Sequence, residues 1–69
     1  MTFDYAELLG ALKKSGLTQK QAAKLAGMSE STFNQKLHNV TFFRQDEIIK
    51  LARALNLDTL KPYFFSIKL

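Results

Sequence analysis

The sequence predicts an all-α chain: a compact four- to five-helix bundle with a short extended or strand-like C-terminal tail. Three observations predict it. In the stretch 44–55, Ile48, Leu51, Ala52 and Leu55 recur at the spacing of a helix with one buried face. On either side of Gly27, Thr18 and Ser29 stand where helix N-caps belong. Strand-like alternation is confined to the end of the chain, Phe65-Ser66-Ile67-Lys68-Leu69.

The first helix is expected over about residues 5–14. Asp4-x-x-Glu7 reads as an acidic, capping-box-like start, and Phe3 as a staple onto Leu8. Leu8, Leu9, Ala11 and Leu12 supply its buried side, while Lys13 and Lys14 favour the negative end of the dipole. Ser15-Gly16 ends it. Gly10 in the middle is either a small cost or room for another helix to approach.

The second helix is expected over 19–26. Thr18-x-x-Gln21 is a capping box, and Leu17 with Ala22 forms a small hydrophobic staple. Ala22, Ala23 and Ala26 keep one face thin, so that another helix can cross at close range. Gly27 can take the positive φ that stops the helix. Ser29 is then a second N-cap, with Met28 stapling onto Phe33, and a third helix follows over 30–37. Helix, glycine, apolar residue, capped helix is the order of a helix-turn-helix.

That third helix has a divided surface. Phe33 and Leu37, four apart, form its apolar stripe. The other positions are Glu30, Ser31, Thr32, Asn34, Gln35 and Lys36. A helix built only for solubility would carry Glu and Lys pairs there, because Ser, Thr and Asn cost helix propensity. Hydroxyls and amides are groups that read base edges in a major groove.

In the loop that follows, at least one of Phe42 and Phe43 should fold back onto the core. His38 stands without Cys, Asp or Glu at ligand spacing, so a solvated or capping histidine is expected and no metal site. The fourth helix is expected over about 45–55, with Asp46 and Glu47 in its first turn and Glu47 paired to Lys50. Arg44 falls at the N-cap, where Ser or Thr would cap better. It either has a second duty, such as reaching a phosphate, or is an arginine in water at a frayed end. Asn56-Leu57-Asp58 is a turn with Leu57 tucked inward, and a short fifth helix is expected over 59–64, limited by Pro62. The chain thus reads as one domain, 1–64, plus a tail, 65–69. A lone strand cannot satisfy its backbone groups, so the tail is expected to meet the same segment of a second subunit, through Phe64, Phe65, Ile67 and Leu69. The alternative is an unpaired tail lying over its own core.

Composition bounds the function. With 69 residues and no cysteine, the chain cannot lean on disulfides or thiolate metal sites, and it buries only about 60% of its unfolded surface. Packing, caps or a partner chain must hold it, which favours a homodimer. A formal charge of +4 suits a polyanionic partner. There is no secretory leader pattern and no membrane-length apolar run, so a cytoplasmic protein is expected. No nucleophile–base pair, clustered His or Gly-rich phosphate loop is present, so the chain is not expected to be an enzyme or to need a cofactor, metal or small-molecule substrate.

Residues 17–57 resemble the DNA-binding domain of the phage Cro and lambda-type repressor superfamily, the XRE-type helix-turn-helix class. The resemblance rests on Leu17-Thr18-Gln19, Ala22-Ala23, Leu25-Ala26-Gly27-Met28-Ser29, Ser31-Thr32-Phe33 and the helix Asp46–Leu57. The small size resembles Cro more than a full-length repressor. The resemblance implies a dimer on a pseudo-palindromic double-stranded DNA operator, in a bacterial host at the nucleoid. It implies base contacts from Glu30, Ser31, Thr32, Asn34 and Gln35, and sugar–phosphate contacts from Gln19, Ser29, Lys36, Asn39, Thr41 and Arg44. Glu30 would read cytosine N4 or simply support the helix dipole. One position departs from the family: where members carry an apolar residue three after the match to Phe33, this chain has Lys36, followed by the apolar Leu37. The rival expectation is a protein-binding module that sequesters a partner repressor, or an antitoxin-like module, using Phe42, Phe43 and the tail.

Overall fold

The computed structural model describes residues 2–68. In chain order it runs β1 (Thr2–Phe3), α1 (Ala6–Lys14), α2 (Gln19–Leu25), α3 (Glu30–Leu37), α4 (Gln45–Leu55), α5 (Lys61–Phe64) and β2 (Ile67–Lys68). The expected all-α bundle with its helix-turn-helix is what the chain forms, with a small two-stranded sheet where its two ends meet.

Local chemistry accounts for most boundaries. Thr18 Oγ1 accepts the Gln21 N–H at 3.1 Å while Gln21 Oε1 accepts the Thr18 N–H at 2.9 Å, so the capping box forms and α2 starts on it. Gly27 takes φ +80°, which lets the chain leave α2 and turn into α3. Asn56, at φ 58°, ends α4, and the Leu57 N–H returns to the Ala52 carbonyl at 2.9 Å, turning Leu57 toward the core as expected. Pro62 lies in the first turn of α5, where its missing N–H has no helical partner to lose. This short helix starts at Lys61, two residues later than expected.

The beginning of the chain departs further. Tyr5, not Asp4, is the N-cap of α1, and its side chain makes no capping bond. Asp4 instead accepts the Ala6 N–H at 2.9 Å, so it serves the first turn without the expected box to Glu7. Phe3 belongs to β1 rather than acting only as a staple.

Leu8, Phe33 and Leu51 are fully buried at the centre, bringing α1, α3 and α4 together. Buried Ala22 and Ala23 keep α2 close to that centre. Of the two loop aromatics, Phe43 folds inward and Phe42 stays 64% exposed. The Phe43 ring makes edge-on contacts with Tyr5, Phe33 and Phe64 at centroid distances of 5.3, 5.8 and 5.6 Å. Burial pushes the Tyr5 phenol above its ordinary value of 10.0.

The tail is a strand, but its partner is its own chain. β2 runs antiparallel to β1, with Thr2 opposite Lys68 and Phe3 opposite Ile67, and the Asp4 N–H donates to the Ser66 carbonyl at 2.7 Å. Neither an unpaired tail nor one paired only with another subunit describes this arrangement. Two residues at the N-terminal end are enough to supply the missing ladder partner. No helix among the described residues is long and apolar enough to cross a membrane.

Candidate nucleic-acid interface

Helix α3 is held at both ends. At its start, Ser29 Oγ accepts the Thr32 N–H at 3.1 Å and donates to Thr32 Oγ1 at 2.9 Å. At its end, the Asn39 N–H returns to the Lys36 carbonyl at 3.1 Å and the Val40 N–H to the Gln35 carbonyl at 2.9 Å. Those two bonds, with Asn39 at φ 64°, are a Schellman motif. The His38 ring adds a contact of 2.8 Å from Nδ1 to the Asn34 carbonyl, a donor in the tautomer protonated there, so this exposed histidine caps the helix. A short helix of moderate propensity is thereby fixed without help from the side chains of Glu30, Ser31, Asn34 and Gln35.

That outer face is the expected one. At about 100° per residue, Glu30, Asn34, His38, Ser31 and Gln35 fall in that order across an arc of roughly 140°, and all are exposed. The arc carries a carboxylate, two amides, a hydroxyl and an imidazole, with no large apolar side chain among them. Thr32 is half-buried at its margin, its hydroxyl engaged by Ser29. Phe33 is fully buried on the opposite side.

Lys36 corrects the expected set of phosphate contacts. It is 6% exposed, and its ammonium donates to Glu47 Oε1 and to the Phe42 carbonyl, each at 3.0 Å. The lysine therefore occupies the inward position that an apolar residue would fill, stem in the core and charge neutralised, and it is not free to meet a phosphate. Glu47, itself 8% exposed, pairs with Lys36 rather than with Lys50 as expected. The same Oε1 accepts the Arg44 N–H at 2.8 Å. That contact satisfies the start of α4, whose N-cap arginine has no capping oxygen of its own.

Asn39 also departs from its expected role. Its Oδ1 accepts the Phe3 N–H at 2.7 Å and its Nδ2 donates to the Phe3 carbonyl at 3.0 Å, so the amide is committed to β1. Ser29 spends its hydroxyl proton on Thr32 and can offer an anion none. Three of the expected backbone contacts remain open to a ligand. Gln19 is half-buried at the first position of α2, Thr41 is exposed, and the Arg44 guanidinium is exposed apart from a 3.3 Å contact with Asp46 that solvent screens. Sequence reasoning passed over Lys20, an exposed cation next to Gln19 in the first turn of α2. The signal for it was its place in that turn.

At the other end of the molecule, Phe64 is 2% exposed and belongs to the core, so it is withdrawn from the expected dimer contacts. Phe65 and Ile67 are exposed, and Leu69 lies outside the described residues. Phe65, Phe3 and Phe42 rim an apolar groove of about 280 Å³ floored by Tyr5 and Phe43. No cluster of His, Cys, Asp or Glu able to hold a metal occurs among the described residues.

Fold and surface together define a small helical domain that presents one helix of a helix-turn-helix, capped at both ends, with an amide- and hydroxyl-bearing outer face. The chain belongs to the family described as Protein of unknown function (DUF739), whose model matches residues 1–67. No curated protein matches it.

Proposed function

We propose that the chain is a sequence-specific DNA-binding transcriptional repressor of the phage Cro type, acting as a dimer on a pseudo-palindromic operator with α3 in the major groove. The observation that carries this reading is the exposed arc Glu30, Ser31, Asn34, Gln35 on a helix whose ends are fixed. Asn34 and Gln35 suit bidentate pairing with adenine, and Ser31 can donate or accept. Thr32, at the margin, would lie near the backbone or a thymine methyl. Gln19, Thr41 and Arg44 set register on the phosphates, with Lys20 adding charge. Such a role needs no cofactor, metal or substrate, and it places the protein on the nucleoid of a bacterial host's cytoplasm.

The dimer contact is assigned to Phe65 and Ile67 with the outer edge of β2. The Phe3 N–H and C=O face Asn39, so Phe3 and Ile67 form a pair without mutual hydrogen bonds. The backbone groups of Ile67 accordingly point away from β1, where a two-fold partner strand can meet them. One observation favours a second reading, a protein-binding module that captures another regulator. Phe42 is 64% exposed, an apolar ring that neither the DNA contacts nor the dimer contact above uses.

Selection of bound sequences from a random duplex pool at physiological salt separates the two. The DNA reading expects a palindromic motif with half-site centres about 34 Å apart, or a multiple of it. Recovery of only salt-sensitive, sequence-independent binding would overturn it and move the weight to the protein-binding reading. On the recovered site, Asn34→Ala is expected to weaken binding by about 1–3 kcal/mol and to leave nonspecific binding nearly intact. An equal loss on every duplex would remove Asn34 from the base readers.

A further inference from the structure

The Asn39 side chain lies along β1 as a third strand would. Its carboxamide offers one acceptor and one donor, and both meet the backbone of Phe3, 36 residues away in sequence, at 2.7 and 3.0 Å. The same residue supplies the left-handed turn that closes α3, at φ 64°. Few residue types meet both demands. Glycine takes the conformation easily but has no amide; aspartate tolerates it but cannot donate to the Phe3 carbonyl. On its other side β1 is laddered to β2. Asn39 therefore stands between the paired chain ends and the last turn of α3, with hydrogen bonds to each.

We infer that Asn39 is a positioning residue that couples the terminal sheet to the C-terminal turn of α3, so that ordering of β2 tightens the turn in which Asn34 and Gln35 lie. The path is short and continuous: β2 holds β1, β1 holds the Asn39 amide, and the Asn39 and Val40 N–H groups hold the Lys36 and Gln35 carbonyls. Its consequence for base reading rests on the function proposed above. The coupling itself does not.

Amide hydrogen exchange on the full chain, free of DNA, reads the coupling directly. Asn39→Gly keeps the positive φ and removes the clasp. It is expected to speed exchange at Phe3, Asn39 and Val40 by on the order of tenfold while α2 is unchanged. Deleting residues 65–69 from the otherwise native chain should speed exchange at Asn39 and Val40 in the same sense. In the Asn39→Gly background the same deletion should add nothing there. A deletion that leaves the Asn39 and Val40 amides at their native rates, or that acts equally with and without the asparagine, overturns the inference. Should the glycine variant fold poorly, Asn39→Asp retains the acceptor for the Phe3 N–H and loses only the donor; there the deletion should have a reduced effect at Val40, and an undiminished effect overturns the inference. A chain that selected no duplex would refute the DNA reading and leave these rates untouched.

Discussion

Glu47→Ala is expected to cost about 3–5 kcal/mol, because it strands the Lys36 ammonium in the interior with only the Phe42 carbonyl for company. A domain of this size has on the order of 3–10 kcal/mol in hand, so the variant should be largely unfolded at modest urea concentrations. The loss combines two effects. Lys36 loses its counter-charge, and the Arg44 N–H at the start of α4 loses its acceptor. Replacing both members distinguishes them from a general intolerance of the site. Lys36→Met with Glu47→Gln removes the charges, keeps an oxygen for the Arg44 N–H and should recover most of the stability. Urea titration followed by circular dichroism measures all three. A single Glu47→Ala variant within about 1 kcal/mol of the native chain would show that water reaches the pair.

The second large effect is expected in the loop between α3 and α4, where two adjacent phenylalanines have opposite fates. Phe43→Ala removes the ring that Tyr5, Phe33 and Phe64 all meet edge-on, and should cost about 3 kcal/mol or more. Phe42→Ala trims a ring that is 64% exposed and touches the fold through Phe3, and should fall within about 1 kcal/mol of the native stability. Thermal unfolding of the two variants side by side is sufficient. Equal losses would mean that the loop does not discriminate between them.

Much of the helix-turn-helix was legible because its determinants are local. The Thr18–Gln21 box, the Gly27 turn and the Ser29 cap are made by residues within a few positions of one another, and each formed where the sequence placed it. The exposed arc of α3 followed from the apolar pair Phe33 and Leu37, since a helix has one period. What escaped was set by contacts distant in sequence. Lys36 reads as one more polar residue until Glu47, 11 residues on, is seen to neutralise it in the core. Asn39 reads as a turn residue with a free amide until Phe3 is beside it. Period two in the tail revealed a strand, but Thr2-Phe3 is too short to show any period, so the partner strand was invisible.

The Asn39 amide also bears on what this chain does when crowded. Exposed strand edges are templates for runaway polymerisation, and a sheet with two of them can recruit copies at both sides without limit. Here the outer edge of β1 is stoppered by a side chain of its own molecule. Among the described residues the open edge of this sheet is that of β2, and in the dimer proposed above one like-to-like encounter would consume that edge on both molecules. In that dimer, stacking edge to edge through the described residues would halt at a pair, leaving a nascent fibre no edge for a third copy.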